Sequence, residues 1–115
     1  MTTLLLVEDE SDIAAVLADA LDLYGYTVVL ASGGHDALDR ARKHRPALVI
    51  TDLMMPGMDG RELIWRLREI PGFEALPVIA ISAAPYAGDE LFLRKPFDVK
   101  DLVSLVERTI AAHRA

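Results

Sequence analysis

Cysteine is absent from the 115 residues, which excludes disulfides and thiolate metal sites and weakly favours an intracellular address. Long apolar runs are absent too. The longest, residues 13–18, is far too short to cross a bilayer. Met1-Thr2-Thr3 puts no basic residue ahead of Leu4-Leu5-Leu6-Val7, and Glu8 cuts that run off, so no secretory signal is visible. Lysine and arginine are missing altogether from residues 1–39, which hold eight acids (Glu8, Asp9, Glu10, Asp12, Asp19, Asp22, Asp36 and Asp39). Residues 40–115 hold ten acids and twelve bases, so the net charge of −6 belongs to the first third of the chain. That balance lacks the basic footprint on which nucleic-acid binding relies, and neither nucleic acid nor membrane is an expected partner.

What the chain does have is apolar material. At 52% hydrophobic and 26% charged it can bury a core, which excludes a disordered chain, and its length matches one domain spanning residues 1–115. The acidic bias reads most simply as a solvated face; the sharper reading gathers some of the acids around a cation.

Short apolar runs alternate with helical periods. Thr3–Val7 reads as a buried strand, followed by an amphipathic helix with Ile13, Val16, Leu17, Ala20, Leu21 and Tyr24 on one face, stopped by Gly25. Residues 26–30 form a second strand, residues 36–44 a polar helix broken by Pro46, and residues 47–51 a third strand. A turn-rich loop then precedes a helix with Leu63, Ile64 and Leu67 inward, ended by Pro71-Gly72. Residues 78–81 and 91–93 are the last strands, and residues 98–113 a final helix with Leu102, Leu105, Val106 and Ile110 on one face. Asp98 with Asp101 resembles a capping box. Continuous apolar strands alternating with helices indicate an α/β fold, a parallel sheet covered on both faces. With five strands, the doubly wound flavodoxin-like order 2-1-3-4-5 is expected.

In such a sheet, ligands bind outside the carboxyl ends of the strands at the switch point. Glu8 and Asp9 follow strand 1, Asp52 follows strand 3, Ser82 ends strand 4 and Lys95 follows strand 5. Taken singly, each has an ordinary role: Asp9 or Ser11 as a helix cap, Asp52 as a loop acid, Ser82 as a strand-end hydroxyl, Lys95 as a solvated turn lysine. Jointly they crowd one edge. At ~4 Å and an effective dielectric near 20, each like-charge pair costs roughly 4 kcal/mol. Lys95 supplies a single positive charge, so the carboxylates must share a proton or bind a cation. A hard divalent ion such as Mg²⁺ suits oxygen ligands and keeps positions open for phosphate oxygens. A carboxylate is also a competent nucleophile toward phosphorus, which makes Asp52 a candidate for aspartyl-phosphate chemistry. Lys95 and the cation would then neutralise the phosphoryl oxygens, and Ser82 would donate a hydrogen bond to one of them.

Four segments carry a family resemblance: Leu5-Leu6-Val7-Glu8-Asp9-Glu10; Leu48-Val49-Ile50-Thr51-Asp52-Leu53-Met54-Met55-Pro56-Gly57-Met58-Asp59-Gly60; Pro77-Val78-Ile79-Ala80-Ile81-Ser82-Ala83; and Lys95-Pro96-Phe97. Over nearly its whole length the chain resembles the receiver domain of two-component response regulators. The resemblance implies that Asp52 accepts a phosphoryl group from a histidine kinase or histidine phosphotransfer protein. It implies Mg²⁺ bound by Asp9, Asp52 and the main-chain carbonyl of Met54, with Glu8 acting through water. It also implies Lys95 and Ser82 as catalytic partners, Ser82 and Phe92 as switch positions, a cis Lys95–Pro96 bond, a cytoplasmic location and a downstream protein target.

One departure stands out. Only eight residues separate Ser82 from Leu91, whereas a parallel crossover with its helix needs at least ~10–12. Pro85 and Gly88 further disfavour helix there, so the family's fourth helix is expected to be absent or a single turn. Eight extended residues reach roughly 26–29 Å, enough to run back along a strand of ~17 Å. One face of strands 4 and 5 is then expected to lose its cover, to be filled by a partner or by a second subunit in a homodimer. Trp65, off the Leu63/Leu67 face, is expected to be half-buried.

The expected function is a phosphorylation-dependent switch acting by protein–protein contact, not an enzyme. The alternative is a degenerate receiver acting as a phosphorylation-independent interaction module. A small aspartate-dependent phosphohydrolase is disfavoured, because Met54 stands where its acid/base residue would be.

Overall fold

Strands form where the sequence places its short apolar runs. In the computed structural model, which describes residues 1–86, 88 and 90–114, these are Thr3–Val7 (β1), Thr27–Ala31 (β2), Leu48–Asp52 (β3), Val78–Ser82 (β4) and Leu91–Arg94 (β5). Helices Ser11–Leu23 (α1), Gly34–His44 (α2), Gly60–Glu69 (α3) and Val99–Arg114 (α4) alternate with them everywhere except between β4 and β5. The sheet is parallel throughout, in the expected order β2-β1-β3-β4-β5.

Side chains on a strand point alternately to opposite faces, so each central strand feeds two cores. Leu5, Val7, Val49, Val78 and Ala80 meet α2 and α3 on one face. Leu4, Leu6, Ile50, Ile79 and Ile81 meet α1 and α4 on the other. Because β3 and β4 are buried at every residue, their apolar runs are continuous. Full burial of each Leu, Ile or Val side chain contributes about 1.5–3 kcal/mol.

The inward face of α1 differs from its expected spacing. Ala14, Leu17 and Leu21 are buried, whereas Val16 and Tyr24 face solvent. The difference is a rotation of the helix about its axis by the packing of Leu17 and Leu21. Nor does Asp9 or Ser11 cap this helix: Glu10 occupies the N-cap and makes no side-chain capping bond. At α4 half of the expected capping box forms, with the Asp98 N–H donating to Asp101 Oδ2 at 3.4 Å.

Between β4 and β5, the described residues form no helix, as the short spacing predicted; Ala87 and Asp89 lie outside the described residues. The cover is not simply lost, however. Val78 and Ala80 are 2% and 0% exposed, and the Tyr86 ring packs onto the α2/α3-side core, 5.7 Å from the Phe92 ring. One aromatic side chain thus substitutes for part of a helix over β4, while Leu91 at the sheet edge stays exposed.

Candidate functional site

The carboxyl edge of the sheet gathers the residues that the sequence singled out. Glu8 directly follows β1 and is buried, its N–H donating to the Ala31 carbonyl at 3.1 Å, and Asp9 beside it is exposed. Asp52 closes β3 and Ser82 closes β4, both buried. Lys95 follows β5, its N–H donating to the Ser82 carbonyl at 2.9 Å, and the Lys95–Pro96 peptide is cis.

The site has a defined wiring. Lys95 Nζ donates to Asp52 Oδ2 at 2.7 Å and lies 3.9 Å from Glu8 Oε2. The other Asp52 oxygen, Oδ1, accepts the Met54 N–H at 2.9 Å. Glu8 Oε1 accepts the Glu10 N–H at 3.2 Å, and Ser82 Oγ accepts the Ala84 N–H at 3.1 Å. Carboxylate oxygens of Glu8, Asp9 and Asp52 lie within 4.8 Å of one another.

Local sequence explains the placement of Asp52. The loop after β3 turns at Gly57 (φ +81), a backbone that side-chain-bearing residues rarely adopt, and reaches the Asp59 N-cap, whose carboxylate accepts the Glu62 N–H at 2.9 Å. At Gly60 an added Cβ would lie 2.6 Å from the Asp52 carbonyl oxygen and 2.7 Å from Leu53 Cα. A glycine there lets α3 start directly against the strand that ends in Asp52.

Electrostatics follow from this crowding. Burial, the charge of Asp52 and the contact with Asp9 push Glu8 up to about 7, against the opposing Glu10 N–H and Lys95. Burial works against the charge of Lys95, but the hydrogen bond and charge of Asp52, with Glu8 and Glu10, raise it above its ordinary value. The three carboxylates form an all-oxygen donor set with one lysine as counter-charge, which fits a hard divalent cation.

Phe92 lies apart from this cluster. It is half-buried on β5, opposite Ala80 of β4, on the face turned to α2 and α3. Beside it is a cluster that sequence reasoning missed. Arg68 of α3 pairs with Glu90 at 2.6 Å, Glu90 also accepts the Tyr86 hydroxyl, and the Arg61 guanidinium lies 5.6 Å from the Tyr86 ring centroid. A lone aromatic in a short connection otherwise made of small residues, a proline and two acids was the available signal. His35, His44 and His113 are exposed.

The profile of the response regulator receiver domain matches residues 4–107. The chain is 37% identical to response regulator Rre1 of Synechocystis over 98% of its own length, and spans 53% of that relative. It is 36% identical to the response regulator receiver protein CpdR of Brucella abortus, covering 97% of this chain and 99% of that one. Among solved structures, it resembles the receiver domain of the hybrid histidine kinase CckA (36% identity, TM-score 0.83, 94% of this chain and 98% of the other). It likewise resembles the chemotaxis protein CheY4 of Vibrio cholerae (27% identity, TM-score 0.89, with the same coverage).

Proposed function

The chain belongs to the response regulator receiver family, and from that premise we propose that it is a signalling switch set by phosphorylation of Asp52, not an enzyme with a released product. One observation carries the reading: the buried Asp52 carboxylate, pinned by Lys95 at 2.7 Å and the Met54 N–H at 2.9 Å, shares its edge with Glu8 and Asp9.

In the proposed step an Asp52 carboxylate oxygen attacks the phosphorus of a phosphohistidine on a histidine kinase or histidine phosphotransfer protein. The P–O bond forms as the P–N bond breaks, and the electron pair returns to the imidazole nitrogen, leaving an acyl phosphate. Lys95, freed from Asp52 Oδ2, turns its charge to a phosphoryl oxygen. The Ser82 hydroxyl, two residues from Ala84 whose N–H it now accepts, donates to another. Asp9, Asp52 and the Met54 carbonyl would hold Mg²⁺, with Glu8 acting through water; when bound, the ion neutralises charge on the phosphoryl oxygens. Ser82 and Phe92 are the proposed switch pair, the first at the phosphoryl group and the second on the β5 face that a downstream protein would read.

A cytoplasmic site of action is part of this proposal; among the described residues, no helix is long and apolar enough to cross a membrane. The test is incubation with Mg²⁺ and acetyl phosphate, read by intact-protein mass and by acid-stable, base-labile label. A single phosphoryl adduct lost in Asp52→Asn is expected. No adduct from a folded chain would leave the phosphorylation-independent interaction module standing instead.

A further inference from the structure

Helix α3 carries a second feature, away from the carboxylate edge. Arg61, Trp65 and Glu69 follow one another at four-residue steps, which on a helix makes a single inclined ridge. All three are exposed. Trp65 is 63% exposed, against the half-buried position expected, because Leu63, Ile64 and Leu67 take the inward face of α3. The other charges of α3 are matched within the chain: Arg66 pairs with Glu62 at 2.8 Å and Arg68 with Glu90 at 2.6 Å. Among the described residues, Arg61 and Glu69 make no ion pair.

Grooves flank this ridge on both sides. One of about 630 Å³ lies between α3 and the β4–β5 connection, walled by Ile64, Pro85 and Tyr86. It exists because no helix stands between those strands. The other, about 320 Å³, lies toward α2 against Leu38, Ile70 and Pro71. A convex ridge between two grooves is the shape by which one helix packs on another.

The ridge is also complementary to itself. Turned end for end about Trp65, a second α3 sets its Glu69 against Arg61 and its Arg61 against Glu69. We propose that a second copy of this chain docks here, two α3 helices packing antiparallel about a two-fold axis that passes between the two Trp65 side chains. Each Trp65 enters the 630 Å³ groove of the other subunit, and two Arg61–Glu69 pairs close the rim. Such a contact is isologous and stops at two subunits. An unrelated partner of either charge would satisfy only one end of the ridge, whereas a second copy satisfies both. Tryptophan and arginine are the residues that most often anchor interfaces. A contact built mainly on one ten-residue helix belongs to the weak, concentration-dependent class.

This dimer does not rest on phosphorylation of Asp52, so its test uses the unmodified chain with chelator present. Sedimentation velocity from micromolar to near-millimolar concentration is expected to show a monomer–dimer equilibrium. Trp65 is the single tryptophan, so its emission should shift to the blue along the same concentration curve. Arg61→Glu and Glu69→Arg each turn two attractions into two repulsions and should weaken the dimer about tenfold. The double variant Arg61→Glu/Glu69→Arg should restore it. All these positions are exposed, and circular dichroism checks that each variant folds. A strict monomer overturns the proposal, as does a dimer indifferent to the single reversals or not restored by the double one.

Discussion

Lys95 Nζ lies 2.7 Å from Asp52 Oδ2 although the two stand 43 positions apart in the chain. The pair is a cross-sheet contact made by β5 returning beside β4, and it holds the Asp52 carboxylate in one orientation. Lys95 is also 3.9 Å from Glu8, so one cation serves two buried carboxylates.

Asp52→Asn should abolish the phosphoryl adduct while leaving the fold intact. The substitution loses the Lys95 pair but relieves the repulsion between Asp52 and Glu8. The two effects oppose, and chemical denaturation should place the variant within about 1 kcal/mol of the parent.

Glu8 sets a pH dependence of stability. Its folded-state value of about 7 lies above its ordinary 4.5, so between those values the folded chain binds more protons than the unfolded one. The stabilisation is complete below about 4.5 and is lost as pH rises through 7, an effect of up to about 3 kcal/mol. Denaturant midpoints in chelator should therefore fall from pH 5 to pH 8. Glu8→Gln should flatten that slope, and Mg²⁺ at ten times its Kd should restore about 1.4 kcal/mol at the alkaline end. A slope of opposite sign in the parent would refute this account of Glu8.

Gly60→Ala tests the close approach of α3 to β3. Its Cβ would sit 2.6 Å from the Asp52 carbonyl oxygen, so the helix or the strand end must shift. A loss of about 1–3 kcal/mol is expected, with slower phosphorylation by acetyl phosphate, because the displaced backbone carries Asp52. A fully active, fully stable variant would show that the contact positions nothing.

The Tyr86 cover can be dissected in two steps. Tyr86→Phe removes only the hydroxyl donated to Glu90 and should cost about 0.5–1.5 kcal/mol. Tyr86→Ala also removes the ring pair with Phe92 and should cost roughly 1 kcal/mol more. Hydrogen exchange should then rise in β5 before it rises in β1 or β3. Equal protection in all three would mean that Tyr86 covers nothing of consequence.

Element type and order were legible because apolar periodicity is a local property. Thr3–Val7 emerged with its expected bounds, and the ends of the remaining strands shifted by no more than one residue. The site was legible for a topological reason: a parallel sheet delivers every strand's carboxyl end to one edge, so Asp52, Ser82 and Lys95 had to meet. Less legible was the facing of helices. Ile13 and Val16 fit the apolar spacing of α1, yet Val16 is exposed and Ala14 buried, since the packing of Leu17 and Leu21 sets the rotation.

The amino-acid sequence by itself determined the alternation of strands and helices, the acidic edge and the lack of a helix between β4 and β5, all of which follow from short-range spacing and chain length. Tertiary structure alone decided that Lys95 reaches Asp52 more closely than Glu8, that burial drives Glu8 up to about 7, that Tyr86 caps β4 and that Trp65 faces outward. Those outcomes depend on atoms far apart in the chain competing for the same few ångströms of space, and no window of sequence contains both competitors.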